Sequence, residues 1–439
     1  MKSRPVSLNT PLPLALPHWA SHARGHLEAG QFVALAIMIV ALPLSESVKN
    51  VAFVLALGCW ILRLLIGDAP RARITVVGAA QALIVAVAVG SAIVALDRLQ
   101  GFRGAWDMAR AWLTFLLVLN TVTSWERLKR CWALFVGAAA VGSLVGLWEF
   151  LSVLPQAIEA KTIAGAVAVE VLSLGHPNHT ATYLLIMIVL ALSYLSFAGA
   201  LKERRYWWLF ALGAAVMIPS MFLTFSRSAP LTFMVILLVL GLAQGRGRLA
   251  MGVVAALLVG SVGATYLPVV KRHFLGTAHP FYTGAIAVRL KTWRGALSFV
   301  DEERPLLGAG PRNFNYIDKQ RYGIGKAMNH AHSLYFSFLA EMGWLGAGAL
   351  VLWLGSIVVV GWRSRRSLTT PWGRVVWMGA LGCFITITLS GVMTTTFHTE
   401  GAMAFSAIIG LLLAAPHLPA EGVGAPLGAR PSLTALRRT

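Results

Sequence analysis

Acidic residues are scarce in this chain for its size. Only 17 Asp and Glu stand against 37 Lys and Arg over 439 residues, and charged residues of both signs make up 12%. An average soluble domain carries roughly twice that charged fraction, so a water-facing surface over most of the chain is excluded. Cysteine is scarce too: Cys59, Cys131 and Cys383 each fall inside an apolar run, which leaves no framework for a disulfide on a watery side. No internal repeat is visible, which weighs against a transporter built from inverted halves. Apolar residues are plentiful instead, at 57% of the chain, with a mean hydropathy of +0.71.

Runs long enough to cross a bilayer, about 20 residues each, are read near 30–45, 49–67, 74–95, 105–122, 131–153, 179–199, 206–223, 229–244, 249–268, 332–361, 373–396 and 401–416. The expected fold is therefore an all-α polytopic membrane protein with about 12 transmembrane helices. Its parts are a tail (1–28), spans one to nine (29–268), a polar loop (269–331), spans ten to twelve (332–416) and a second tail (417–439). The first tail is interrupted by Pro5, Pro11, Pro13 and Pro17 and lacks the apolar core of a cleavable signal peptide. The second is rich in Gly, Ala and Pro and reads as disordered. An even number of spans puts both tails on one side. The tails and the even-numbered connections hold twenty-one basic residues, against five in the odd-numbered ones outside the long loop. Both termini are accordingly expected in the cytoplasm. Topology of this kind accounts for most of the +20 net charge, and no nucleic acid is needed to explain it.

The long loop breaks the charge rule. It carries ten basic residues and four acidic ones on the side where basic residues are normally sparse, so it is expected to meet an anion. Ile286, Leu290, Trp293, Leu297 and Val300 follow helical spacing, with Arg289 and Arg294 flanking the stripe. Such a helix lies either in the headgroup layer or as a lid on the bundle. The run Pro305–Pro311 reads as a turn, and its glycines either offer N–H groups to a phosphate or simply connect.

Seven histidines fall on that same side, among them His176, His179, His330 and His332. A metal cage drawn from His176, His179, His330 and His332 matches no ligand spacing and has no carboxylate, so no metal is expected. A histidine at the mouth of a span is often an interfacial polar group. His332 rises above that reading because it opens a span, follows the basic loop and has Ser333 beside it. A neutral imidazole there can accept a proton from a hydroxyl. Arg227 stands alone at the boundary of two spans, where it either snorkels to lipid phosphate or binds an anion. Asp107 and Arg110 are spaced to neutralise each other, and Glu341 is expected to brace a neighbouring helix.

These residues resemble a known family. His332-Ser333, nine residues, Gly343, two residues and Gly346 is similar to the histidine motif of bacterial O-antigen ligases. Arg227-Ser-Ala-Pro-Leu231 is similar to their Arg-x-x-x-Leu motif, and Arg289-Leu-Lys-Thr-Trp293-Arg294 followed by Pro305–Gly310 looks like the start of their large periplasmic loop. The resemblance implies transfer of a glycan from undecaprenyl pyrophosphate, the donor, to a sugar hydroxyl of lipid A core, the acceptor. It places this at the periplasmic face of the bacterial inner membrane. His332 would be the catalytic base, Arg227 and Arg289 would hold the pyrophosphate, and His330, Arg294, Arg312 and Ser333 would be further site residues. No cofactor is implied. O-antigen polymerases and protein O-oligosaccharyltransferases share the superfamily, and a lipid or anion transporter is the non-enzymatic alternative. Metal-dependent polyprenyl glycosyltransferases commonly place carboxylates on the first outer loop. Here that loop offers only Glu46, and the chain has no Asp-x-Asp.

Overall fold

Small capping residues and prolines mark where the apolar runs become helices. Ser45, Thr75, Asp97 and Thr370 each accept a backbone N–H from the first turn that follows them, and Pro371, after Thr370, and Pro177 each open a helix at a position where no N–H is missed. The computed structural model describes residues 18–66, 73–159, 169–171, 174–201, 206–226, 228–247, 251–252, 285–324, 328–397 and 399–419. Its helices are α1 (His18–Ala41), α2 (Glu46–Leu65), α3 (Val76–Ile93), α4 (Arg98–Thr121), α5 (Trp125–Glu159), α6 (Pro177–Phe197), α7 (Trp207–Leu223), α8 (Ser228–Ala243), α9 (Ala285–Glu302), α10 (Leu334–Ser364), α11 (Pro371–Ser390) and α12 (Thr399–Ala414). No strand occurs among the described residues.

Every expected span except the ninth has its helix. The ninth, 249–268, lies outside the described residues apart from 251–252, as do most of both tails. Among the described residues, seven helices (α2, α3, α5, α6, α10, α11 and α12) are long and apolar enough to cross a membrane, and part of α1 together with α7 and α8 forms three shorter apolar helices. The chain is thus a multi-pass helical membrane protein. Its α4 differs, with Arg98, Arg103, Asp107 and Arg110 in its first half. α1 also begins earlier than its expected span. Its polar part is held by Glu28, which pairs with Arg127 at 2.7 Å and Arg63 at 3.6 Å.

The centre of the bundle is α6, in which Tyr183 through Ala191 have no exposed surface. α11 runs antiparallel beside it; Gly382 lets it close on Val189, and Gly379 makes room for the Trp132 ring of α5 and for Ser193. Close approach through small residues is how helices associate where lipid removes the hydrophobic drive. Connections expected on the same side meet in space. At one end Leu96 bonds Ala309 (2.9 Å) and Leu334 bonds Gly391 (2.7 Å), while at the other Arg73 bonds Asn120 (3.0 Å) and Arg246 bonds Ser196 (3.1 Å).

The polar segment forms a cap on the first of these ends. α9 packs on α10 through Thr292, Ala296, Phe299 and Val300, all buried. This face is rotated from the expected stripe: Val300 belongs to it and Trp293 is half-buried, whereas Leu290 and Leu297 are exposed. The rotation follows from Gly295, where a Cβ would overlap the Tyr322 carbonyl, so the loop comes closest at a position with no side chain. A small apolar core of Phe299, Phe314, Ile317, Ile324 and Ala331 closes the cap over Leu339 and Ala340 of α10.

Candidate functional site

The cap is fastened where α10 breaks. Gly343 has φ +63° and ψ −163°, a conformation that only glycine adopts readily. A broken helix leaves backbone groups without partners, which is tolerated at membrane depth only where other protein supplies them. Here Pro305–Gly310 does so. Ala309 N donates to Ala340 O (2.9 Å) and Gly310 N to Glu341 O (2.8 Å), while Trp344 N donates to Pro305 O (2.8 Å) and Leu345 N to Leu306 O (3.3 Å). Ser91 of α3 seals the clasp with hydrogen bonds to the Leu307 and Glu341 carbonyls. The N–H groups of Gly308, Ala309 and Gly310 are all donated to backbone carbonyls, so this run is neither a phosphate cradle nor a plain connector.

Glu341 does not brace a neighbouring helix. Its carboxylate accepts the Arg312 backbone N–H at 3.0 Å and so tethers the cap. Arg312 has φ +60°, and its guanidinium reaches Asp107 at 2.6 Å. Asp107 and Arg110 are paired, as expected, and Arg110 also donates to Asn50 at 2.9 Å. Arg312 therefore belongs to a network joining the cap to α4 and α2. Arg294 is exposed on the outer side of α9, away from its buried face.

His332 lies where the cap feeds into α10. It is half-buried and has φ +50°, with Ala331 fully buried before it and Ser333 after it. Ala331 O accepts from Trp293 Nε1 at 2.8 Å, and the Trp293 ring stacks on Phe336 at 5.0 Å, which fixes α9 against this turn. On the other flank Ser333 Oγ donates to Gly391 O at 3.3 Å, and Ser337 and Thr395 hydroxyls meet at 3.3 Å. Ser333 is thus a buried anchor of the turn. A left-handed non-glycine residue held from both sides is a form of local strain that concentrates at functional sites. The described residues contain two others, Arg312 and Phe225, and Phe225 is two positions before Arg227.

His330 and His332 rings are 4.0 Å apart. Burial, and then the positive charges of Arg289 and His176, hold the His332 imidazole down at about 4. It is therefore neutral at physiological pH and has a lone pair to offer. The structure thus brings His332, His330, Arg289 and Ser333 together, and adds His176, which the sequence presented only as a weak metal ligand. Arg227 lies outside the described residues, although Thr232, five positions later, accepts from Ser390 at 3.0 Å next to the Gly391 anchor. No group of three or more His, Cys, Asp or Glu arranged to hold a metal occurs among the described residues.

A multi-pass helical bundle, capped at one end by a basic segment that presents a neutral histidine, is the class of protein that fold and site define. Residues 212–351 match the model of a family described as O-antigen ligase, which supports membership of the O-antigen ligase superfamily. The matched stretch runs from α7 into α10 and includes Arg227, Arg289, His332 and Gly343. A search of curated proteins found no match.

Proposed function

We propose that this chain is an O-antigen ligase. It transfers a finished glycan from undecaprenyl pyrophosphate to a sugar hydroxyl of lipid A core at the periplasmic face of the inner membrane, with both termini in the cytoplasm. The observation that carries this reading is a neutral His332 beside Arg289, within the family-matched segment and under a basic cap.

The chemistry follows from the groups present. The acceptor hydroxyl attacks the anomeric carbon, the bond from that carbon to the diphosphate oxygen breaks, and the hydroxyl proton passes to His332. Direct displacement inverts the anomeric centre. Diphosphate is already a good leaving group, so it needs charge stabilisation more than protonation, and guanidinium groups of Arg289 and Arg227 supply that. An imidazole held near 4 is a weak base. A bound diphosphate would offset the charge of Arg289, one cause of the lowered value, and so raise the basicity of His332 when the donor is in place. No step calls for a metal.

Purified protein in liposomes, supplied with undecaprenyl-pyrophosphate-linked glycan and lipid A core, is expected to form the joined product, and to do so after exhaustive EDTA treatment. Transfer that stops with chelator and returns with Mg²⁺ or Mn²⁺ refutes the metal-independent route. Elongation of one polyprenyl glycan by another, with lipid A core untouched, identifies a polymerase instead. Movement of the lipid without covalent transfer identifies a transporter.

A further inference from the structure

The start of α6 lies at the same end of the bundle as His332. α11 and α6 pair antiparallel with Ser193 against Gly379, Val189 against Gly382 and Ile186 against Cys383, the last at 3.8 Å. Continued for two turns, this register brings the first turn of α6 level with Gly391. Gly391 O is the acceptor that holds Leu334 N and Ser333 Oγ. His176 thus stands at the level of the reactive turn.

The local fold of His176 dictates what its ring can do. Gly175 turns the chain with φ +53°, and His176 is the N-cap of α6, its Nδ1 accepting the Asn178 N–H at 3.1 Å. A neutral imidazole whose Nδ1 accepts must carry its proton on Nε2. The ring is half-buried and lies 5.1 Å from that of His179. Among the described residues Nε2 has no hydrogen-bond partner, so it is a donor whose orientation the cap fixes, at the level of the His332 turn. An N–H donor at the level of the turn on which Arg289 acts suits an oxyanion, which can accept from both, better than a neutral sugar hydroxyl.

We infer that His176 is a positioning residue for the donor, its Nε2–H hydrogen-bonding an oxygen of the diphosphate that Arg289 also grips. The inference rests on the transfer reaction proposed above.

Two substitutions separate this role from helix capping. His176→Asn keeps an acceptor where Nδ1 stands, and asparagine is among the best N-caps, but it lacks the distal donor. His176→Gln reaches to the distal position with an N–H and loses the cap. In full-length protein in liposomes, His176→Asn is expected to raise KM for the donor by about tenfold or more, as loss of a hydrogen bond to a charged group does, with kcat little changed. It should weaken binding of glycan-free undecaprenyl pyrophosphate by a similar factor. His176→Gln is expected to recover most of both losses. Wild-type KM in His176→Asn, or a larger defect in His176→Gln than in His176→Asn, would reduce His176 to a cap. A raised KM with unchanged binding of undecaprenyl pyrophosphate would assign His176 to the glycan and overturn the diphosphate contact. His332→Ala assayed alongside tests the parent reading separately: wild-type transfer in that variant sinks the proposed reaction whatever His176 shows.

Discussion

Two seams in this molecule are built on glycine, and they use it in opposite ways. Between α6 and α11, Gly379 and Gly382 remove side chains so that two unbroken helices can touch, and the contact is one of shape. Between the cap and α10, Gly308 and Gly343 remove side chains so that two backbones can exchange hydrogen bonds, and one of the helices is broken to allow it. The first seam buries no backbone group that its own helix does not already satisfy. The second releases carbonyl and amide groups of α10 and gives each a partner in the cap. A bilayer permits the first anywhere and the second only where protein covers the break. The proposed site lies on the cap side, at the entrance to α10, where Trp293 and Gly391 hold the left-handed His332 turn through its two neighbours.

The comparison can be broken by substitution, and the largest expected effect is at the turn the clasp supports. His332→Ala should leave an inserted, folded protein whose transfer rate is lower by about 10²–10⁴, the usual worth of a general base. Turnover at the wild-type rate would remove the catalytic role from this turn.

Next in size are the arginines. Arg289→Lys and Arg227→Lys are each expected to lose about tenfold or more of transfer and of donor binding, because lysine cannot reproduce two parallel hydrogen bonds to a diphosphate. Lys271→Arg and Lys326→Arg should change little. Full activity in both arginine variants would make those residues membrane anchors.

The two glycine seams can then be set against each other. Gly343→Ala forces an L-residue into a glycine conformation, at about 1–3 kcal/mol, and its Cβ would overlap Leu306. It is expected to lower transfer and to speed proteolysis within 304–331 while the thermal transition of the bundle moves little. Gly382→Ala drives a methyl into Val189 and is expected to do the reverse. Identical profiles for the two variants would erase the distinction between the seams.

A pH profile sharpens the chemical side. The working form of His332 is neutral and its folded value is lowered to about 4, so activity is lost on protonation as pH falls through that value. The kcat/KM for transfer, which reports the free enzyme, should therefore hold from neutrality down to about pH 5. Half-loss near the ordinary histidine value of about 6.5 would mean that His332 is not buried beside Arg289 and His176 in solution. The smallest effect belongs to the exposed rim of the cap. Arg321→Gln removes pairs to Glu303 (2.7 Å) and Glu302 (3.5 Å) that are open to water, and should shift stability by no more than about 1 kcal/mol.

Much of the site was legible because its signals are local. His332, Ser333, Arg289 and the two motif glycines stand out by residue type and spacing, and the pairing of Asp107 with Arg110 follows from one helical turn. What could not be read involves partners far apart in the chain. Arg312 looked like a free cation for a substrate, but Asp107 and Glu341 hold it from positions 205 and 29 residues away. The stripe on α9 was displaced because helical periodicity sees only the helix, while its buried face was chosen by the Tyr322 carbonyl approaching Gly295. Lys49 and Glu400 form a buried ion pair between the first turns of α2 and α12, and nothing in either segment announces the other.

By itself the sequence determined that this is a multi-pass helical membrane protein with one long basic interruption leading into a histidine. Bilayer thickness and helix capping act on consecutive residues, and a linear chain records them directly. Only the tertiary structure decided which backbone groups clasp the broken α10, which face of α9 is buried, and that burial, with Arg289 acting on it, keeps His332 neutral. Those outcomes depend on the distance and burial of groups separated in the chain, from Gly295 and Tyr322 to His176 and His332, and distance in space is the quantity that a sequence does not carry.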